Sequence, residues 1–166
     1  MLSHDNLAWL TRSWSAMMER DRPESVGQHN RIVSYLPLSH IAGLFFDLIL
    51  QMGFACEVFF ARPDALQGSL VDTLRWGRPT SFFFAVPRVW EKLEERVKIF
   101  AAANPNIVKN NINWAREELG LNNCIYFSFG AAPMKQATVD FFKPLNMLLF
   151  NEYGMSEVTG PHTIQL

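Results

Sequence analysis

Short apolar runs, set apart by stretches of helical spacing, constrain this chain more than any other feature. Thr80 to Ala85, Cys124 to Phe129 and Met147 to Phe150 read as strands buried on both faces, and Arg31 to Tyr35 and Glu57 to Phe60 as two more. Between them lie helices. Ser3 or Asp5 caps a first helix to about Arg20, with Leu7, Leu10, Trp14 and Met17/Met18 on one face. Arg22 to Gly27 is a turn-rich connector, and Ile41 to about Met52 reads as a buried helix. Asp64 caps a helix through Leu74, which Gly77-Arg78-Pro79 stops. Pro87 opens a helix with Val89, Trp90, Leu93 and Val97 on one face, and Asn104-Pro105-Asn106 breaks it. Trp114 to Leu119 and Lys135 to Phe142 complete the set. Strands separated by helices of this length imply right-handed crossovers. The expected fold is α/β, a mostly parallel sheet with helices on both faces.

Composition narrows the function classes. A chain of 166 residues with 49% hydrophobic residues and 14 Phe can bury a real core. Its net charge is −1 without a basic block, so nothing favours nucleic acid as a partner. Cys56 and Cys124 both lie in apolar surroundings and read as reduced thiols of a cytoplasmic protein. Ile41 to Leu50 is apolar, but it is too short for a bilayer and Asp47 interrupts it. Neither a transmembrane span nor a signal peptide is expected. Peripheral contact with the endoplasmic reticulum or another intracellular membrane stays open.

The richest chemistry lies in Asn151-Glu152-Tyr153-Gly154-Met155-Ser156-Glu157, read as a turn leaving the strand that ends at Phe150. Ligands of α/β folds bind at the carboxyl ends of such strands. Tyr153 offers a ring to a base and Ser156 a hydroxyl to a phosphate. Glu157 offers hard oxygens to Mg²⁺, and Gly154 lets the backbone bend or approach a ligand closely. A plainer reading is a strand exit in which Ser156 caps the following turn. His40, after a Leu-Pro-Leu-Ser turn, is either a hydrogen-bonded structural residue or a binding residue. Trp90 is either a core residue of its amphipathic helix or part of a ligand entrance. His4, His40 and His162 lack ligand spacing for a metal. No Gly-x-Ser-x-Gly elbow is present.

Four segments in fixed order go beyond pattern: Tyr35-Leu36-Pro37-Leu38-Ser39-His40, Val86-Pro87-Arg88-Val89-Trp90-Glu91-Lys92, Gly130-Ala131-Ala132-Pro133 and Tyr153-Gly154-Met155-Ser156-Glu157. Together they resemble the AMP-forming adenylate-forming superfamily. Within it the chain is most similar to long-chain fatty acyl-CoA synthetases of the bubblegum type. The resemblance implies that fatty acid and ATP form an acyl-adenylate and pyrophosphate with Mg²⁺, and that coenzyme A then displaces AMP. It implies that Gly130, Ala131, Ala132 and Pro133 lie along the adenine, that Tyr153 stacks on it within Glu152, Gly154 and Met155, and that Ser156 contacts phosphate. Glu157 is implied as the Mg²⁺ ligand, so Ser156 and Glu157 form the catalytic pair. Glu152 is implied at the adenine edge or in solvent. His40 and Trp90 are implied on the acyl side, Trp90 as a gate to the fatty-acid tunnel.

The resemblance also places residues 1–166 within the larger N-terminal domain of an adenylate-forming enzyme, as a partial AMP-binding domain. The expected piece lies after the phosphate loop and before the C-terminal domain. Such a piece is expected not to make acyl-CoA alone. The alternative is a non-catalytic product that binds nucleotide, acyl chains or a partner.

Overall fold

The computed structural model describes residues 2–23 and 29–165. The connector expected over 22–27 therefore lies outside the described residues from Glu24 onward. Helix α1 runs His4–Asp21, opened by a reciprocal cap in which Ser3 and Asn6 serve each other's backbone N–H groups. Strand β1 (Arg31–Ser34) follows, then a π-helical turn, Gly43–Ile49, that continues as α2 (Leu50–Phe54). Strand β2 is Glu57–Phe60, α3 Leu70–Gly77, β3 Phe82–Ala85 and α4 Pro87–Ala103. Helices α5 (Pro105–Asn110) and α6 (Trp114–Leu119) lead to β4 (Tyr126–Gly130). Helix α7 (Gln136–Phe142), β5 (Leu149–Met155) and β6 (Gly160–Gln165) close the described chain.

Strands β3, β4 and β5 are parallel neighbours, and β6 runs antiparallel beside β5. Strands β1 and β2 form a separate parallel pair. Thr80 ties that pair to the larger sheet: its N–H donates to the Arg31 carbonyl and its Oγ1 accepts the Arg31 N–H, both at 2.9 Å. The α/β expectation holds, with helices on both faces.

The period of two along each strand sorts the side chains into two cores. Phe83, Ala85, Phe127, Phe129 and Leu149 face α3, α4, α6 and α7. Phe82, Phe84 and Tyr126 face α1 and the π-helical turn, packing against Trp14, Phe45 and Phe46.

Two local expectations need correction, and the expected break after α4 also starts a helix. The stretch from Asp64 is a short 3₁₀ turn, Ala65–Gln67, separated from α3 by Gly68 at φ 144°. Asp64 does not cap it but accepts from the Ser69 hydroxyl at 2.8 Å. Pro105 ends α4 and also opens α5, because the first helical position has no use for its missing N–H. Asn151–Met155 is the continuation of β5 rather than a turn, since β6 supplies backbone partners along it.

Candidate functional site

Each of the four sequence segments leaves, or forms, the carboxyl end of a strand, which is where an α/β sheet presents ligand-binding groups. The segment after β1 ends at His40. Its N–H donates to the Pro37 carbonyl at 2.9 Å, and its Nδ1 accepts the Ala42 N–H at 3.1 Å. With Nδ1 accepting, a neutral ring carries its proton on Nε2 and has a donor to offer. Asp47 braces this segment from below: Oδ2 accepts from Ser34 Oγ at 3.1 Å and from the Tyr35 and Leu36 N–H groups at 3.2 Å. Burial raises the Asp47 carboxyl to about 6 against these three donors. The sequence reading noted Asp47 only as a break in an apolar run. A lone carboxylate inside such a run was the signal that buried donors await it.

After β4, Ala131 adopts φ 67°, a left-handed conformation that costs any residue with a side chain. Gly130 ends the strand where a Cβ would meet the Glu152 carbonyl oxygen at 2.5 Å. Gly154 serves a similar end. A Cβ there would lie 2.0 Å from the Gly160 carbonyl oxygen, so this glycine permits β6 to close on β5 at the register shift between Tyr153 and Gly154.

Alternation along β5 divides the central motif between the two faces. Tyr153 is exposed and meets the His162 ring edge-on, with centroids 5.5 Å apart. Asn151, two residues earlier, borders an open cavity of about 490 Å³ together with Pro133, Gln136 and Lys143. Glu152 points the other way and is only 3% exposed. It shares a small cavity of about 50 Å³ with His40, Ala131, Gly154 and Met155, walled by Phe46 and Phe84. The Tyr126 hydroxyl donates to Glu152 Oε1 at 3.3 Å, and the Ser128 hydroxyl lies beside the same carboxyl. Burial pushes the Glu152 carboxyl up to about 8, with Ser128 and Tyr126 opposing. Glu152 therefore does not lie in solvent. Tyr126, stacked on Phe150 at 4.9 Å, is the partner that the sequence did not reveal.

Ser156 and Glu157 sit on the 3₁₀ turn Ser156–Val158, between β5 and β6, and both are exposed. Glu157 makes no ion pair among the described residues. No group of three metal-ligating side chains occurs among them. One free carboxylate is nonetheless what Mg²⁺ needs when phosphate oxygens and water fill its other positions, so the donor set fits that ion. Ala132 is exposed beyond Ala131. Trp90 stands apart. It is fully buried, and its Nε1 donates to the Ser128 carbonyl at 3.0 Å. Phe83 and Phe142 pack edge-on against its ring at 5.3 and 5.0 Å. It borders neither of these two cavities.

Residues 1–166 match the model of the AMP-binding enzyme family. The chain belongs to that family. It is 39% identical over 199 residues to the long-chain-fatty-acid–CoA ligase ACSBG2 of Gallus gallus, covering 100% of this chain and 26% of that protein. Against ACSBG1 of Homo sapiens the identity is 39%, covering 98% of this chain and 26% of that protein. The chain thus spans about a quarter of the length of these curated relatives. Among solved structures, the A domain of the carboxylic acid reductase from Segniliparus rugosus, in complex with AMP and a co-purified carboxylic acid, superposes with a TM-score of 0.69 at 23% identity. That match covers 81% of this chain and 22% of that one. The N-terminal domain of FACL13 from Mycobacterium tuberculosis gives 0.62 at 19% identity, covering 98% and 34%. At these identities the structures show a shared fold. No helix among the described residues is long and apolar enough to cross a membrane.

Proposed function

We propose that this chain carries the adenine-binding and acid-binding parts of a long-chain fatty acid–CoA ligase. In that reaction the acid's carboxylate attacks the α-phosphorus of ATP and pyrophosphate leaves. The thiol of coenzyme A then attacks the acyl carbon of the adenylate and AMP leaves. The observation that carries the reading is the division of one motif across β5. Asn151 borders the cavity that Pro133 lines, Tyr153 is exposed on the same side of β5, and Glu152 faces the other, where it shares a cavity with His40 and Ala131.

In this arrangement Tyr153 stacks on the base, which typically contributes about 1–3 kcal/mol. Ala132 and Pro133 line its path beside the strained Ala131. Ser156 orients a phosphate oxygen, and orientation lowers the barrier by keeping the reacting atoms in line. Glu157 would hold Mg²⁺, which supplies charge neutralisation at the phosphates. The Nε2–H of His40 would meet the carboxylate on the inner side. Trp90 contributes rigidity beneath β4 rather than a moving gate. The AMP and carboxylic acid held by the Segniliparus rugosus domain support this pairing of ligands. Because the chain spans about a quarter of its relatives, acyl-CoA formation is proposed for a protein of their length, and ligand binding for this chain.

Isothermal titration of the chain with Mg·ATP, then with a fatty acyl-adenylate analogue, tests the reading beside a Tyr153→Ala control. Binding that the substitution weakens by about five- to 150-fold is expected from the stacking energy. A folded, monodisperse chain that binds neither ligand would leave a structural or partner-binding remnant of the family instead.

A further inference from the structure

A third cavity lies between α4, the start of α3 and the 3₁₀ turn before it, and none of the ligands above uses it. It holds about 350 Å³, within the roughly 300–1,000 Å³ of small-molecule sites. It shares no lining residue with the cavities beside Glu152 and Asn151. Its deep wall is apolar, formed by the buried side chains of Val71, Val89 and Leu93. Beside Gly68 the space is open, since a Cβ built there meets no atom within 4 Å. The charged side chains among its described lining residues are Arg88, Lys92 and Arg96, and no carboxylate is among them. The i, i+4 spacing stacks these three cations along one face of α4.

We propose that this cavity binds a single-chain lipid phosphate, with the aliphatic chain against Val71, Val89 and Leu93 and the phosphate on the α4 cations. The cations keep donors for such a head. Glu91 is shared between Arg88 at 3.4 Å and Lys135 at 3.2 Å, and Glu118 between Arg96 at 3.0 Å and Arg75. Two carboxylates facing four cations leave the rim positive, and Glu95 borders the adjoining hollow rather than this one. Lys92 reaches across to the Leu66 carbonyl and makes no ion pair among the described residues. Exposed pairs such as Arg88–Glu91 hold weakly, so a phosphate can draw the guanidinium away. The Arg fork matches phosphate oxygens, and a phosphate brings more charge to three cations than a carboxylate does. The chain gains by leaving water for an apolar wall. An inorganic anion alone would leave that wall unused.

The test is titration of the 166-residue chain with decyl phosphate, decanoate and inorganic phosphate, the amphiphiles below their micellar concentrations, followed by ¹⁵N amide shift mapping. Decyl phosphate is expected to bind at least about tenfold tighter than inorganic phosphate, which lacks the chain. It should also bind tighter than decanoate at this site. Its shifts should gather at Gly68, Val71, Val89 and Leu93. The double variant Arg88→Gln with Lys92→Gln, checked for folding by circular dichroism, should weaken it at least about tenfold. No binding of decyl phosphate overturns the inference, as does unchanged affinity in the folded double variant. Equal affinity for decanoate or for inorganic phosphate at this site overturns it too. Shifts confined to His40, Ala131 and Glu152 would assign the chain to the acid-binding cavity instead and leave only that reading standing. If the double variant does not fold, the wild-type affinities and the shift map decide.

Discussion

The two faces of the sheet are built from the same strands and do different work. Toward α3, α4, α6 and α7 the core packs around Trp90, and its edge opens at the cavity that Pro133 and Asn151 border. Toward α1 and the π-helical turn the core is aromatic and encloses two carboxyl groups, Asp47 and Glu152. Neither has a cationic partner, and each relies on hydroxyl or N–H donors. Burying such groups opposes folding unless every donor is in place. A strand-borne side chain has only two directions to choose from, so one motif can serve a nucleotide on one face and an acid on the other. The first face sets the nucleotide side on a rigid apolar core, and the second buries carboxyl groups where an acid is to be read.

The largest effect should come from breaking the core around Trp90. Trp90→Ala removes a fully buried indole and its bond to the Ser128 carbonyl. It is expected to cost about 3–5 kcal/mol in urea unfolding. The remaining folded fraction should still bind nucleotide, because Trp90 borders neither cavity.

The second effect sharpens the contrast through pH. Burial raises the Glu152 carboxyl from an ordinary 4.5 to about 8 in the folded chain, and Asp47 from 3.8 to about 6. A carboxyl raised in this way favours the folded state fully below its unfolded value and loses that contribution as pH climbs through the folded one. Stability should therefore fall by a few kcal/mol between about pH 4.5 and 8, with Asp47 adding to the loss below about pH 6. Glu152→Gln should flatten the upper part of that slope in melts across pH. An unchanged slope would mean that Glu152 stays solvated.

Asp47→Ala comes next, at about 2 kcal/mol, because it strands the Tyr35 and Leu36 N–H groups without an acceptor. Amide hydrogen exchange should quicken from Ser34 to His40 before the chain melts, since Asp47 is what holds that segment. The smallest structural effect is expected from Tyr153→Ala. Its ring is 55% exposed, so stability should change by less than about 0.5 kcal/mol while nucleotide binding drops.

Much of this was legible in the sequence, and the failures have physical causes. The run of β3, the proline at the start of α4 and the glycine after α6 declared themselves through period and punctuation. Strand β6 was missed because Gly160-Pro161-His162-Thr163 carries no apolar alternation. It becomes a strand by pairing with β5, a tertiary reason that local propensity does not contain. The same pairing turned a presumed loop at Asn151–Met155 into strand and so decided which way each side chain points. The resemblance named Glu152 and Tyr153 side by side, but only the pleat separates them. Tyr126 and Ser128 were invisible as site residues because both belong to a run that reads as plain core. The burial of Trp90 was legible in the 3.6-residue period of α4.

The most direct test of the two-faced strand is amide chemical-shift mapping on the ¹⁵N-labelled chain, titrated separately with AMP and with a medium-chain fatty acid. The account predicts two sets of perturbed amides. AMP should move those around Ala132, Pro133's neighbours, Asn151 and Tyr153, and the acid those around His40, Ile41, Ala131 and Glu152. A single common set for both ligands would contradict it, and so would acid-induced shifts centred on Trp90.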